Sequence, residues 1–132
     1  MRLIYNNRTL TTFNDLGLNA SVLSAISELG FENPTPIQEK SIPVFLENER
    51  DILGLAQTGT GKTAAFGLPL LQLVDFNAKQ TQALIICPTR ELCMQISRDL
   101  ATYSKHMQGV RIVSVYGGAS INGQIEDLRR GA

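Results

Sequence analysis

Two spacings of apolar residues alternate along this 132-residue chain. Val22, Ile26 and Leu29 share one helical face, with Asn19 placed to cap that helix and Gly30 to stop it. Thr35 is a natural cap for a second helix and Pro36 suits its first position, while Pro43 should kink that helix or end it early. The pattern then changes to a continuous apolar run, Ile52-Leu53-Gly54-Leu55-Ala56, which reads as a short buried strand. A helix-compatible stretch runs from Lys62 to about Val74. Residues 82–87 read as a second buried strand, halted by Pro88-Thr89, with Thr89 capping a helix from Arg90 to about Tyr103. Residues 110–116 form a third strand ending in Gly117-Gly118, and Ser120 caps a last helix carrying Ile121, Ile125 and Leu128 on one face. Apolar strands alternating with helices predict βαβ units, a parallel sheet and an α/β fold. Residues 1–12 are polar, lack periodicity and read as a loose arm, and the chain holds no internal repeat.

Composition changes this picture little. The length suits one domain, and 43% hydrophobic with 18% charged residues is an ordinary core-forming balance. Twelve basic and twelve acidic side chains cancel, so bulk charge gives no nucleic-acid signal. Cys87 and Cys93 lack metal-ligand spacing and read as reduced thiols. No 7-residue apolar signal-peptide core follows Met1-Arg2-Leu3-Ile4-Tyr5, and no run approaches a membrane span, which points to a cytoplasmic chain without a membrane partner.

Candidate chemistry concentrates in Ala56-Gln57-Thr58-Gly59-Thr60-Gly61-Lys62-Thr63, set between a predicted strand and a predicted helix. Glycines there allow positive φ, so that backbone N–H groups and the helix N-terminus converge on one anion. Lys62 would reach the outer phosphates of a nucleoside triphosphate, and the Thr63 hydroxyl would take one position on Mg²⁺. Ala56 stands where the general phosphate-loop pattern has its first glycine. The loop alone leaves kinase, GTPase and ATPase open.

Further residues narrow that choice. Phe13 precedes Gly30-Phe31-Glu32-Asn33-Pro34-Thr35-Pro36-Ile37-Gln38; Pro88-Thr89-Arg90-Glu91-Leu92 is followed by Gln95; and Gly117-Gly118 is followed by Gln124. With Ala56 to Thr63, this set closely resembles the DEAD-box RNA helicases, in which a phosphate loop beginning with alanine is usual. Departures are Glu49 before Arg50-Asp51, where the family often has glycine, and Cys93, where it usually has alanine. The resemblance implies a RecA-like P-loop domain, a parallel sheet flanked by helices and incomplete here, with residues 13–132 its N-terminal portion. It also implies ATP with Mg²⁺, an adenine site at Phe13, Phe31, Pro36 and Gln38, and catalytic parts at Lys62 and Thr63. RNA would be held by its backbone, without sequence preference, at Pro88, Thr89, Arg90, Gly117, Gly118 and Gln124.

The residues themselves keep alternatives open. Thr35-x-x-Gln38 is also a capping box that needs no ligand, and Phe13 suits a core anchor beside Leu16 and Leu18. Thr89-Arg90-Glu91 could be a cap with a surface ion pair, and Gly117-Gly118 a plain strand-ending turn. The family's Asp-Glu-Ala-Asp and Ser-Ala-Thr elements are absent from these residues, as are the arginines of its second RecA-like domain. The expectation is therefore the front part of an ATP-dependent RNA helicase that does not hydrolyse ATP by itself. The other readings are a non-catalytic nucleotide- or RNA-binding module and a different P-loop enzyme such as a small-molecule kinase.

Overall fold

The computed structural model describes residues 11–47, 51–78 and 80–132. Most of the arm at 1–12 and the Glu49-Arg50 departure lie outside the described residues. A 3-10 turn, Phe13–Leu16, opens the fold, with Asp15 accepting from the Thr12 backbone N–H at 2.8 Å and from its hydroxyl at 2.8 Å. Five helices follow: α1 (Ala20–Glu28), α2 (Pro36–Glu47), α3 (Lys62–Leu73), α4 (Arg90–Tyr103) and α5 (Ile121–Arg129).

The expected caps form. Asn19 Oδ1 accepts from Val22 N at 3.0 Å, Thr89 Oγ1 from Leu92 N at 3.2 Å, and Ser120 Oγ from Gly123 N at 3.3 Å. Gly30 follows α1 with φ +75°, the left-handed turn that ends a helix. Of the kink or early end expected at Pro43, the early end does not occur: α2 runs through Pro43 to Glu47. Pro in a helix interior costs about 3 kcal/mol. Ile42 beside it is fully buried in the common core, and Ser41 Oγ bonds the Ile37 carbonyl at 2.7 Å. Tertiary packing outweighs the local penalty.

That core gathers Phe13, Leu16, Leu18, Val22 and Ile26 with Ile42 of α2, Ala64, Leu68 and Leu71 of α3, and Ile96, Leu100 and Tyr103 of α4. Phe31 joins it by aromatic contact, 6.1 Å from Phe13 and edge-on to Tyr103 at 6.2 Å. Gly67 brings α3 close to α4, since a Cβ there would lie 2.7 Å from Leu100 Cδ2. Gln72 of α3 ties down the segment before α1, accepting from Asn19 N at 2.7 Å and donating to Gly17 O at 3.0 Å.

The three predicted strands behave differently. Among the described residues, 52–56, 82–87 and 110–116 make no backbone hydrogen bonds to one another and form no ladder. Their extended character survives in burial: Ala83, Ile85 and Cys87 are half-buried, while Leu84 and Ile86 between them are 83% and 85% exposed. Leu53 and Leu55 are 88% and 85% exposed. An alternation in which both faces are apolar belongs to a strand meant to be covered on both sides. The apolar face of α5 is also open, with Ile121 70% exposed.

Candidate nucleotide and nucleic-acid sites

The phosphate loop closes on itself through short polar contacts. Gly59 and Gly61 take φ +77° and +82°. A Cβ on Gly59 would meet nothing within 4 Å, so open space adjoins the loop at this glycine. Thr60 Oγ1 donates to Gln57 O at 2.7 Å. The Lys62 ammonium folds back over the loop and donates to the carbonyls of Ala56 and Gln57, both at 2.6 Å. Thr58 lies at the exposed tip, and Thr63 lies in the first turn of α3 with no hydrogen-bond partner for its hydroxyl among the described residues.

The start of α2 is bolted to this loop. Gln38, 3% exposed, accepts from Thr35 N at 2.8 Å through Oε1 and donates to Gly61 O at 3.1 Å through Nε2. Thr35 donates its hydroxyl to Thr60 O at 2.8 Å. Half of the expected capping box is therefore present; the other half is redirected to the phosphate loop. Each amide atom of Gln38 keeps one unused hydrogen-bonding position. Pro36 is the first residue of α2. Phe13 is 4% exposed and belongs to the core, as its sequence-level alternative has it, while also lining a 330 Å³ hollow with Phe31, Asn14 and Glu32.

A second cluster lies where residues 82–87 run into α4. Pro88, Thr89 and Arg90 are all exposed. The Arg90 guanidinium stacks over the Tyr116 ring, 5.0 Å from its centroid. The anticipated Arg90–Glu91 ion pair is absent among the described residues, where Arg90 has neither hydrogen bond nor carboxylate partner. Gly118 has φ +84°, and a Cβ there would stand 3.3 Å from Arg90 Nη1. The Gln124 amide pairs with the backbone of Tyr116, accepting from its N–H at 2.9 Å and donating to its carbonyl at 3.1 Å. The strand segment is fastened to α4 by Ser114 Oγ to Ser97 Oγ at 2.6 Å. Burial pushes the Cys87 thiol up, aided by neighbouring Cys93. Sequence reasoning passed over Tyr116, although it is the aromatic residue directly before the glycine pair.

Among the described residues there is no group of three or more His, Cys, Asp or Glu side chains able to hold a metal ion, and no helix long and apolar enough to cross a membrane.

The DEAD/DEAH box helicase family model matches residues 35–132. ATP-dependent RNA helicase DeaD of Escherichia coli (strain K12) is 53% identical over 121 residues, covering 92% of this chain and 19% of the relative. ATP-dependent RNA helicase CshA of Listeria monocytogenes is 49% identical over 123 residues, 92% of this chain and 23% of the relative. Among solved structures, a DEAD box protein from the hyperthermophile Methanococcus jannaschii superposes with TM-score 0.84 at 44% identity, covering 89% of this chain and 32% of that one. The RNA-helicase Prp28 from Chaetomium thermophilum bound to ADP superposes with TM-score 0.80 at 39% identity, covering 91% and 30%. The chain thus spans about a fifth of the length of the curated relatives it matches. The α/β, RecA-like fold class read from the sequence holds, with only part of such a domain present.

Proposed function

The chain belongs to the DEAD/DEAH box helicase family, and from that premise we propose that residues 13–132 are the front of the nucleotide-binding domain of an ATP-dependent RNA helicase. The observation that carries this reading is the phosphate loop: positive-φ glycines, open space beside Gly59, and Lys62 poised over the loop mouth. A triphosphate would draw the Lys62 ammonium off the two carbonyls it now holds, exchanging neutral acceptors for charged ones. The Thr63 hydroxyl, free of protein partners among the described residues, would take one position on Mg²⁺, whose chemistry is to neutralise charge developing between the outer phosphates.

Gln38 is the adenine reader in this proposal. Its unused acceptor and donor positions suit the exocyclic amine and adjacent ring nitrogen of adenine, and its bonds to Thr35 and Gly61 hold the amide plane in advance. Guanine would leave those positions mispaired, a loss of roughly 1–3 kcal/mol. RNA contact falls to Pro88, Thr89, Arg90 and the Gly117-Gly118 turn, through phosphates rather than bases. The Arg90 guanidinium, without a carboxylate partner among the described residues, supports this over a surface ion pair. Family membership sets aside the small-molecule kinase. A cytoplasmic location is part of the same proposal.

The test is RNA-stimulated phosphate release from the gene product carrying this sequence, with Lys62→Ala as the contamination control. ATP should be turned over and GTP poorly, and Gln38→Ala should narrow the difference in their affinities. Equal affinity for ATP and GTP in the unmutated protein would remove the adenine role. Nucleotide binding without turnover would favour a non-catalytic module instead.

A further inference from the structure

Arg90 is an exposed cation held against an aromatic ring. An unrestrained arginine samples many rotamers, and gathering it onto a ligand costs that freedom. Here the guanidinium lies over Tyr116 and beside Gly118, where a Cβ would stand 3.3 Å from Arg90 Nη1. A cation held over an aromatic ring keeps its N–H donors for other partners, and Arg90 makes no hydrogen bond among the described residues.

Tyr116 is itself held. Gln124 bonds both its backbone N–H and its carbonyl, as a neighbouring strand would, in a segment that has no ladder partner among the described residues. The Gln124 amide is thereby turned toward the Tyr116 backbone. A chain of contacts runs from Gln124 through the Tyr116 backbone and ring to Arg90.

We propose that Tyr116 and Gln124 are positioning residues: they pre-set the Arg90 guanidinium for a nucleic-acid backbone phosphate without contacting the nucleic acid themselves. This rests on the RNA role given to Arg90 above, but it reassigns Gln124 from RNA contact to support and adds Tyr116. Because the ring face supplies the effect, phenylalanine can replace tyrosine at 116 and leucine cannot.

The experiment measures binding of a fluorescent oligouridylate to the gene product carrying this sequence, across salt concentrations and with a non-hydrolysable ATP analogue present. Variants are Arg90→Ala, Tyr116→Phe, Tyr116→Leu, Gln124→Leu and the double variant Arg90→Ala/Tyr116→Leu, each first checked by thermal melting. Tyr116→Phe should bind as the unmutated protein does. Tyr116→Leu should lose about two- to fivefold, the range of an exposed cation–π contact. In the Arg90→Ala background, Tyr116→Leu should add no further loss. Gln124→Leu should lose affinity in the same direction and gives an independent reading should the Tyr116→Leu variant fail to fold. Unchanged affinity in folded Tyr116→Leu or folded Gln124→Leu overturns the inference. So does additivity of Arg90→Ala with Tyr116→Leu, which would mean that Tyr116 touches RNA directly. If Arg90→Ala itself leaves affinity and salt slope unchanged, the RNA role of Arg90 is what fails.

Discussion

The two halves of this molecule differ in how completely they satisfy themselves. On the helical side, α1 to α4 share one core, and Thr35, Gln38, Thr60 and Lys62 close a polar circuit around the phosphate loop. On the strand side, Leu53, Leu55, Leu84 and Ile86 stand more than four-fifths exposed, and a space of 1040 Å³ opens between the 82–87 and 110–116 segments and α3 and α4. The first is built from local helix caps, from helix packing and from side-chain bonds between the start of α2 and the loop. The second consists of strands, whose hydrogen bonds and second apolar face must come from neighbours. The glycine-rich loop is fully organised although no strand ladder forms beside it among the described residues.

The largest effect on ligand binding expected from this contrast comes from adding one methyl group on either side. At Gly61, alanine would hold φ +82° against its preference and place Cβ 2.3 Å from Gln38 Nε2. Gln38 is buried and bonded on both sides of its amide, so it cannot step aside without releasing Gly61 and Thr35. ATP affinity should fall by at least about tenfold, equivalent to 1.4 kcal/mol. At Gly54, on the open side, the same methyl would meet only Ile37 Cδ1 at 3.7 Å, an ordinary contact. Gly54→Ala should bind ATP normally. Titration of both variants with a fluorescent ATP analogue decides the matter, and a stronger defect at Gly54 would reverse the comparison.

In stability rather than affinity, the contrast separates the two apolar surfaces. Ile42 is fully buried in the helical core, and Ile42→Ala should cost about 2–5 kcal/mol through lost transfer energy and a cavity. Leu84 is 83% exposed, and Leu84→Ser in residues 1–132 should fall within about 0.5 kcal/mol of zero. Urea unfolding of the two variants measures this. A large loss from Leu84→Ser in that chain would mean that the strand face is covered in solution, by self-association or by collapse of the open space.

The helical side was also the more legible in sequence. Asn19, Thr89 and Ser120 marked their helix starts, and the loop from Ala56 to Thr63 announced its geometry, because capping and glycine φ values depend on a few adjacent residues. The apolar runs at 52–56, 82–87 and 110–116 identified strand character but not pairing, which depends on partners remote in sequence. Pro43 does not end its helix, because its local penalty is set against tertiary burial of Ile42, which no local pattern displays. The contacts of Gln38 with Gly61 and of Arg90 with Tyr116 span more than twenty residues each. Spacing hinted at neither, although a capping-box glutamine near a phosphate loop and an aromatic residue before a glycine pair were visible signals.

The smallest expected effect asks whether charge contributes to the helical side at all. Glu28, at the end of α1, accepts from Lys105 Nζ at 2.5 Å and stands 2.7 Å from His106 Nε2, joining α1 to the turn after α4. The Lys105 hydrogen bond, and next that of His106, hold the Glu28 carboxyl below the ordinary value of 4.5. Because the folded state binds that proton less readily than the unfolded chain does, the contribution is present above the ordinary value. It is lost as pH falls through the lowered folded value. Half-exposed in water, the contact is screened and its contribution is small. Thermal melts of Glu28→Gln and of the unmutated chain should therefore differ slightly at neutral pH and converge in acid, where a protonated Glu28 resembles glutamine. A gap that persists unchanged in acid would assign the effect to hydrogen-bond shape rather than to charge. Identical melts throughout would leave the helical side stabilised by burial and backbone contacts alone, which would make its contrast with the strand side one of packing.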